Sequence, residues 1–217
     1  MLANEELEKL EHKYFDILAE LLERSIGQVV SQIYSQNSIS GAAVGGVTNV
    51  IEHAVENIVE AMIASQLHWN ICSMPVSADS CFECGDAIIH IDAKTIKIDD
   101  GDNTSNKVTV RKSQTTYVTG SPLTISEKTW EPKLNFYENH YMFGEVPNVT
   151  YIIKVVYSDS HYVEKIKLIS LPHGQLHQIF NDDHILAAGR TEASIRFQED
   201  SITQMQPWRV RTIYERK

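Results

Sequence analysis

The sequence predicts an α/β (α+β) protein with helices mainly in the first third of the chain and strands in the rest. Residues 4–34 and 42–66 carry apolar side chains three and four positions apart, the spacing of one helix face. The later residues form short runs rich in β-branched and aromatic side chains between polar turns, which is typical of strands. We therefore expect a single domain over residues 1–217, helical at 1–70 and sheet-rich at 71–217.

Composition limits the class of protein. With 42% hydrophobic and 22% charged residues, the 217-residue chain is typical of a globular protein with a sizeable core. It has no apolar run long enough to cross a bilayer, so we expect a cytoplasmic protein without a membrane partner. The formal net charge of -10 counts against nucleic-acid binding, because phosphate contacts require local positive potential. Basic residues nevertheless cluster at 107–112 and 209–217, so DNA is not excluded as a partner.

The second predicted helix carries three glutamates, Glu52, Glu56 and Glu60, each four residues from the next. Like charges at this spacing destabilise an isolated helix by a few tenths of a kcal/mol per pair, roughly, and a metal or a basic partner would offset that. Glu52 borders the apolar side of the helix, whereas we expect Glu60 to be more solvated. The alternative is a plain exposed acidic face.

Residues 87–98 alternate apolar and polar side chains, which predicts a half-buried strand. Ile89 and Ile91 fall on one face, and His90, Asp92 and Lys94 fall on the other. A carboxylate and an ammonium group two positions apart lie about 6 to 7 Å from each other along the same side of a strand. Such a pair can serve a divalent metal and a water molecule.

A second carboxylate would complete such a site, and residues 83–86 predict the turn that brings one close. Asp86 would lie roughly 20 Å from Asp92 along one strand, which is too far to share an ion. If the hairpin loop is even-numbered and centred on 84–85, Asp79 pairs with His90, on the face of Asp92 and diagonal to it. A one-residue slip would move Asp79 to the other face.

Asp79, followed after twelve residues by Asp92-Ala93-Lys94, resembles the PD-(D/E)xK motif of the restriction-endonuclease-like nucleases, with Ala78 where that family often has proline. The resemblance covers about a third of the chain. It implies the restriction-endonuclease-like fold, a mixed central β-sheet flanked by helices. It also implies a Mg²⁺-dependent type II restriction endonuclease that acts as a homodimer on a short site in double-stranded DNA, without an organic cofactor.

The resemblance also implies roles for individual residues. Asp79, Asp92 and the carbonyl oxygen of Ala93 would hold Mg²⁺, because that ion prefers hard oxygen ligands. Lys94 would orient or deprotonate the attacking water and stabilise charge on the phosphate. Many nucleases of this family direct a glutamate from the helix before the hairpin at the metal, and Glu52 is assigned that catalytic role.

The segment after the hairpin is the predicted DNA-binding part. Val108 and Val110 indicate a strand, and the residues around and after it carry donors that can contact phosphates and base edges. The predicted DNA-binding residues are Lys107, Arg111, Lys112, Ser113, Gln114 and Thr115. Further strands are predicted at 150–156, 163–170, 194–198 and 208–214, with a short helix at 175–181.

Three other functions stay open. A repair or phage nuclease of the same fold would share the metal site but lack a fixed recognition sequence. A non-catalytic binding or assembly module would carry the hairpin charges on a solvated surface. Finally, His68, Cys72, Cys81 and Cys84 have the residue types of a zinc site, although the usual sites have two paired knuckles. Without zinc, three cysteines suit a reducing compartment better than a disulfide framework.

Overall fold

The computed structural model describes residues 4–40, 47–72, 78–98, 106–115, 123–125, 128–131, 134, 137–139, 144–158, 162–173, 185–188 and 194–217. The helices are α1 (Asn4–Ser40), α2 (Val47–Gln66) and α3 (Glu199–Met205). The strands are β1 (Asn70–Ile71), β2 (Ser80–Glu83), β3 (Ile88–Lys97), β4 (Lys107–Arg111), β5 (Leu123–Ile125), β6 (Lys128–Trp130), β7 (Tyr137–Asn139), β8 (Gly144–Val146), β9 (Asn148–Tyr157), β10 (Val163–Ser170), β11 (Ile185–Ala188), β12 (Ser194–Gln198) and β13 (Val210–Glu215).

A six-stranded sheet forms the centre of the fold, in the order β1-β2-β3-β9-β10-β13. Strands β3 and β9 run parallel along their whole lengths, and the other neighbours are antiparallel. The described residues also form a three-stranded sheet, β11-β12-β4, and two short ribbons, β5-β6 and β7-β8. The predicted mixed central sheet, with helices at the amino-terminal end of the chain, is confirmed.

Strand β3 is buried on both faces over its first six residues, so the prediction of a half-buried strand is wrong. One face, with Ile89, Ile91 and Ala93, belongs to the main apolar core beneath α1 and α2. The opposite face lies beside a second apolar cluster, which the three-stranded sheet and Trp130 help to form. Local alternation could not indicate this second layer, because it comes from residues far along the chain.

Several element boundaries differ from the prediction. Helix α1 continues to Ser40, past the predicted helical range of 4–34, and α2 begins at Val47. Strand β13 begins at Val210 because Pro207–Arg209 forms a 3₁₀ turn. Helix α3 was not predicted. The predicted helix at 175–181 lies outside the described residues.

A buried ionic network fastens α1 to the sheet. The Arg209 guanidinium donates to Glu11 Oε2 at 2.5 Å, and the His173 backbone N–H donates to Glu11 Oε1 at 2.7 Å. The Tyr151 hydroxyl donates to the Glu11 backbone carbonyl at 2.7 Å. Burial raises the pKa of Glu11 to about 7, although Arg209 acts in the opposite direction.

Two of the three cysteines pair with each other. Cys72, directly after β1, lies opposite Cys81 of β2 and forms a disulfide with it, with Cα atoms 5.3 Å apart. Cys84 is a buried thiol outside the disulfide, in the main core beside Tyr14. This differs from the expected set of reduced thiols and leaves the zinc set unassembled, because two of its four members are bonded to each other.

None of the described helices has the length and apolar character needed to span a membrane.

Candidate active site

The hairpin of β2 and β3 positions the predicted carboxylates. Ser80 lies opposite Ile91, and the Asp79 N–H donates to the Ile91 carbonyl at 3.0 Å. Cys81, and not Asp79, lies opposite His90, so the predicted register of the hairpin is wrong by two residues. Because side chains alternate with a period of two, a shift of two keeps each residue of β2 on its predicted face. Asp79 precedes β2 and lies close enough to Asp92 for its charge to act on that carboxyl.

The hairpin loop explains the altered register. It covers residues 84–87, closed by the Cys84 N–H donating to the Ala87 carbonyl at 2.9 Å. Asp86 lies in this loop and accepts hydrogen bonds from Lys13 Nζ at 2.6 Å and from the Tyr14 hydroxyl, both on α1. The loop therefore docks on a helix more than seventy residues earlier in the chain, a contact that local turn preferences do not encode.

Asp79 also contacts the backbone of β3. Its Oδ2 accepts a hydrogen bond from the Ala93 N–H at 2.6 Å. The N–H and C=O of one residue in a strand point toward the same edge. The Ala93 carbonyl is therefore directed toward the edge where Asp79 lies, beyond the first residue of β2.

Asp92 is a buried carboxylate whose negative charge is only partly balanced by the groups around it. Its side chain is 2% exposed, and Lys94 Nζ lies 2.6 Å from its Oδ2. Burial raises the pKa of Asp92 to about 6, and the charge of Asp79 acts in the same direction. Lys94 and a hydrogen bond from the Gln114 side chain lower it but do not cancel the burial. A divalent cation between the two carboxylates would stabilise the charged form.

The predicted glutamate is not the one that contacts the hairpin within the described part of α2. Glu60 Oε2 accepts a hydrogen bond from Ser80 Oγ at 2.9 Å, directly beside Asp79 in the chain. Glu60, expected to be solvated, is thus partly buried. The side chain of Glu52 lies outside the described residues, so its catalytic role stays a prediction.

The predicted DNA-binding residues divide into two groups. Arg111 is exposed, and Lys107, Lys112 and Ser113 are partly exposed. Gln114 and Thr115 are buried, and Gln114 turns inward to Asp92 instead of outward. Sequence reasoning missed this inward role, because a glutamine after a strand has no signal that distinguishes a buried position from a surface one.

One exposed cation was also missed. Arg196 on β12 lies opposite Thr109 of β4, so it shares the three-stranded sheet with Arg111. A lone arginine in a predicted strand gave no reason to assign it to the DNA-binding group.

Comparisons with known proteins agree with this architecture. The structure of the restriction endonuclease BglI bound to its DNA recognition sequence superposes with a TM-score of 0.76 at 16% identity, covering 97% of this chain and 91% of that chain. Tetrameric restriction endonuclease SfiI bound to cognate DNA gives a TM-score of 0.70 at 16% identity, covering 100% of this chain and 86% of that chain. At this identity the two structures establish a shared fold. No curated protein matches the chain.

The family comparison is more specific. Residues 3–161 match the family model described as "Type II restriction enzyme MwoI, N-terminal domain", and this range includes Asp79, Asp92 and Lys94. The match covers well over half of the chain. The protein is therefore a restriction-endonuclease-like nuclease and belongs to the family of the type II restriction enzyme MwoI N-terminal domain.

Proposed function

We propose that the protein is a Mg²⁺-dependent type II restriction endonuclease that hydrolyses phosphodiester bonds at a short specific site in double-stranded DNA. The observation that carries this proposal is the proximity of Asp79 to Asp92, with Asp79 bonded to the Ala93 N–H and Lys94 ion-paired to the buried Asp92, within a chain of this family. The relatives BglI and SfiI are described as bound to their recognition sequence and to cognate DNA, which supports DNA as the substrate.

The donor set fits a magnesium ion. Asp79, Asp92 and the Ala93 carbonyl supply hard oxygen ligands at one edge of β3. No group of three or more His, Cys, Asp and Glu side chains converges within the part of the chain that the structure describes. Water and a substrate phosphate would therefore have to complete the ligand set, which is usual for Mg²⁺ but not for a closed structural zinc site.

The chain's own residues would carry the hydrolysis. When bound, Mg²⁺ would polarise the scissile phosphate and assist deprotonation of water. Lys94 is 29% exposed and reaches solvent from its ion pair with Asp92. Its ammonium group could orient the attacking water and stabilise negative charge that develops on the phosphate. Asp92 holds that lysine in place and binds the metal with Asp79.

DNA would lie against the exposed and partly exposed cations of β4, of the turn after it and of β12. Lys107, Arg111 and Lys112 precede the buried Gln114, and Arg196 lies on the neighbouring strand. These side chains provide a local positive surface on a chain whose net charge is -10. Ser113 adds a hydroxyl that can contact phosphate or a base edge.

We retain the homodimer as a proposal, because a reader of a two-fold symmetric site is commonly itself two-fold symmetric. SfiI is described as tetrameric, so a dimer of dimers is the other assembly to test. Sedimentation equilibrium with and without DNA distinguishes the two assemblies. A cytoplasmic location and a single nuclease domain are likewise proposed.

The proposal is tested by incubating the purified protein with plasmid DNA and Mg²⁺, beside an Asp92→Asn variant and an EDTA control. We expect discrete fragments from the wild type alone. A smear would indicate a nuclease without a fixed site. If no divalent ion supports cleavage of either plasmid or phage DNA, the enzyme proposal is refuted in favour of a binding module.

A further inference from the structure

Gln114 occupies an unusual place for a residue of a surface segment. It ends the 3₁₀ turn Lys112–Gln114, which directly follows β4, yet it is 1% exposed. Its Oε1 accepts a hydrogen bond from the Arg111 N–H at 2.9 Å, which closes the turn on itself. A glutamine side chain is rarely buried so fully unless its polar atoms are satisfied.

The orientation of the Gln114 amide follows from these contacts. Because Oε1 accepts from the backbone, the amino group is the part of the side chain available to donate. Ile152 lies beside Asp92 on β9 and packs with Val110 of β4, four residues before Gln114, so the turn lies over the Asp92 face of the sheet. The Gln114 side chain is there within hydrogen-bonding reach of Asp92, whose ionised carboxylate can only accept. The amide therefore has one end fixed to its own turn and the other directed at the predicted metal ligand.

We propose that Gln114 is a positioning residue that fixes the Asp92 carboxylate for metal binding and links it to the turn carrying Arg111 and Lys112. This inference rests on the proposed function, since it concerns the same metal site. Partners that hold a metal ligand in orientation typically change metal affinity by about 10- to 100-fold when removed.

Lys94 alone could not perform this task during the reaction. Its side chain is partly exposed, and the proposed mechanism requires its ammonium group at the attacking water and the phosphate. An ammonium group that shares its protons among the carboxylate, the water and the phosphate orients the carboxylate less firmly. The buried Gln114 has no such second task, so it keeps Asp92 oriented while Lys94 engages the substrate.

The position of Gln114 also ties the site to the proposed DNA surface. Arg111 supplies the N–H that holds Oε1, and its own side chain is exposed. A displacement of the turn upon DNA contact would therefore move the donor that Asp92 relies on.

The test compares Gln114→Met, which keeps the length of the side chain and removes its polar atoms, with Gln206→Met. Gln206 is a matched control because it is a partly buried glutamine with polar partners, Glu8 and Arg209, outside the proposed site. Mn²⁺ is the probe, since it prefers the same oxygen ligands as Mg²⁺, and electron paramagnetic resonance reports the free ion. Melting temperatures establish that each variant is folded.

We expect Gln114→Met to weaken Mn²⁺ binding by about tenfold or more, and Gln206→Met to change it less than twofold. Cleavage by Gln114→Met should be lost at low Mg²⁺ and recovered at high Mg²⁺, with unchanged DNA affinity. A folded Gln114→Met variant that binds Mn²⁺ as the wild type does would overturn the inference.

Two further measurements keep the result unambiguous. If Gln114→Met does not fold, the distance from Gln114 Nε2 to the nearer Asp92 carboxylate oxygen is measured in a crystal structure of the wild type. A distance above about 3.5 Å overturns the inference. A distance of about 3.2 Å or less supports it. Asp92→Ala separates the two proposals. If it binds Mn²⁺ as the wild type does, the proposed metal site itself fails. If it loses binding while Gln114→Met does not, only the role of Gln114 fails.

Discussion

The two faces of strand β3 are both buried, but they are buried for different reasons. On the side facing the helices, Ile89 and Ile91 join the main core with the apolar residues of α1 and α2. On the side facing the site, Ile88 is apolar, but the next two buried residues are polar: His90 bonds to Asn148 at 2.7 Å, and Asp92 contacts Lys94. The first face needs only complementary shape, whereas each polar group of the second needs a specific partner. Burial therefore stabilises the fold on one side and prepares ionisable groups on the other.

The polar side continues across the sheet as a row of lysines. Lys94 lies beside Lys154 on β9, and Lys154 lies beside Lys167 on β10. Glu199, near the start of α3, contacts the amino group of Lys154 at 2.7 Å and also that of Lys167. Burial lowers the pKa of Lys154, and Glu199 opposes that shift. One carboxylate of α3 thus pairs with two of the three lysines, while Lys94 pairs with Asp92 of β3.

The largest effect is expected at Asp92, where the site-facing side carries the proposed chemistry. Asp92→Asn should reduce DNA cleavage at least about a thousandfold, because the metal and Lys94 both lose their anionic partner. Burial raises the pKa of this carboxyl, so the charge is unfavourable in the folded state above about pH 6. The unfolding free energy at pH 8 should consequently stay unchanged or rise, as measured by urea titration. A parallel loss of activity and stability would contradict the distinction between the faces.

The next effect concerns Glu199. Glu199→Gln should lower the unfolding free energy by about 3 to 5 kcal/mol, because it leaves the buried Lys154 without its anionic partner. The double variant Lys154→Met with Glu199→Leu should recover most of that loss, since an apolar pair of similar volume replaces the buried charges. Denaturant titration measures both. Equal destabilisation by the single and double variants would show that packing of α3, not charge, dominates.

On the side facing the helices, Ile91→Ala should cost about 3 kcal/mol of unfolding free energy through lost burial and a cavity. Its Mg²⁺ requirement for cleavage should match that of the wild type, because Ile91 points away from the carboxylates. The comparison is a Mg²⁺ titration of initial cleavage rates under conditions where both proteins are fully folded. A several-fold change in the half-saturating concentration would mean that the two faces are coupled.

The smallest expected effect is a change in how the free energy of unfolding depends on pH. His173 Nε2 accepts a hydrogen bond from the Thr150 N–H at 3.0 Å, and burial lowers the pKa of this imidazole well below 6.5. Below about pH 6.5 the His173 imidazole takes up a proton in the unfolded chain but stays neutral in the folded chain. The free energy of unfolding therefore falls as the pH decreases below about 6.5. The slope from one such group reaches about 1.4 kcal/mol per pH unit. His173→Gln keeps an acceptor without titrating, and its stability should depend less on pH in that window. Identical slopes would exclude His173 as the cause.

Much of the fold could be predicted because its signals are local. The helical spacing in α1 and α2 and the alternation in β3 are properties of consecutive residues. The side chains of β2 were assigned to the correct faces because the register error was two residues and the side-chain period is two. The pairing partner itself could not be predicted, since Lys13 and Tyr14 of α1 hold the hairpin loop through Asp86.

The unpredicted features all come from contacts between distant segments. The parallel pairing of β3 with β9 joins residues about sixty positions apart, and no periodicity reports it. The inward turn of Gln114 depends on the second sheet packing over Asp92. Glu60 contacts Ser80 because α2 crosses the hairpin at that point, although the position of Glu52 beside the apolar side of the helix favoured Glu52.

The most direct test of the account is the anomalous diffraction of a crystal of the wild-type protein soaked in Mn²⁺. We predict one peak at about 2 Å from a carboxylate oxygen of Asp79, one of Asp92 and the Ala93 carbonyl oxygen, and its loss in crystals of Asp92→Ala. A peak elsewhere in the molecule, or none at millimolar Mn²⁺ with DNA bound, would contradict the assignment of this edge of β3 as the metal site.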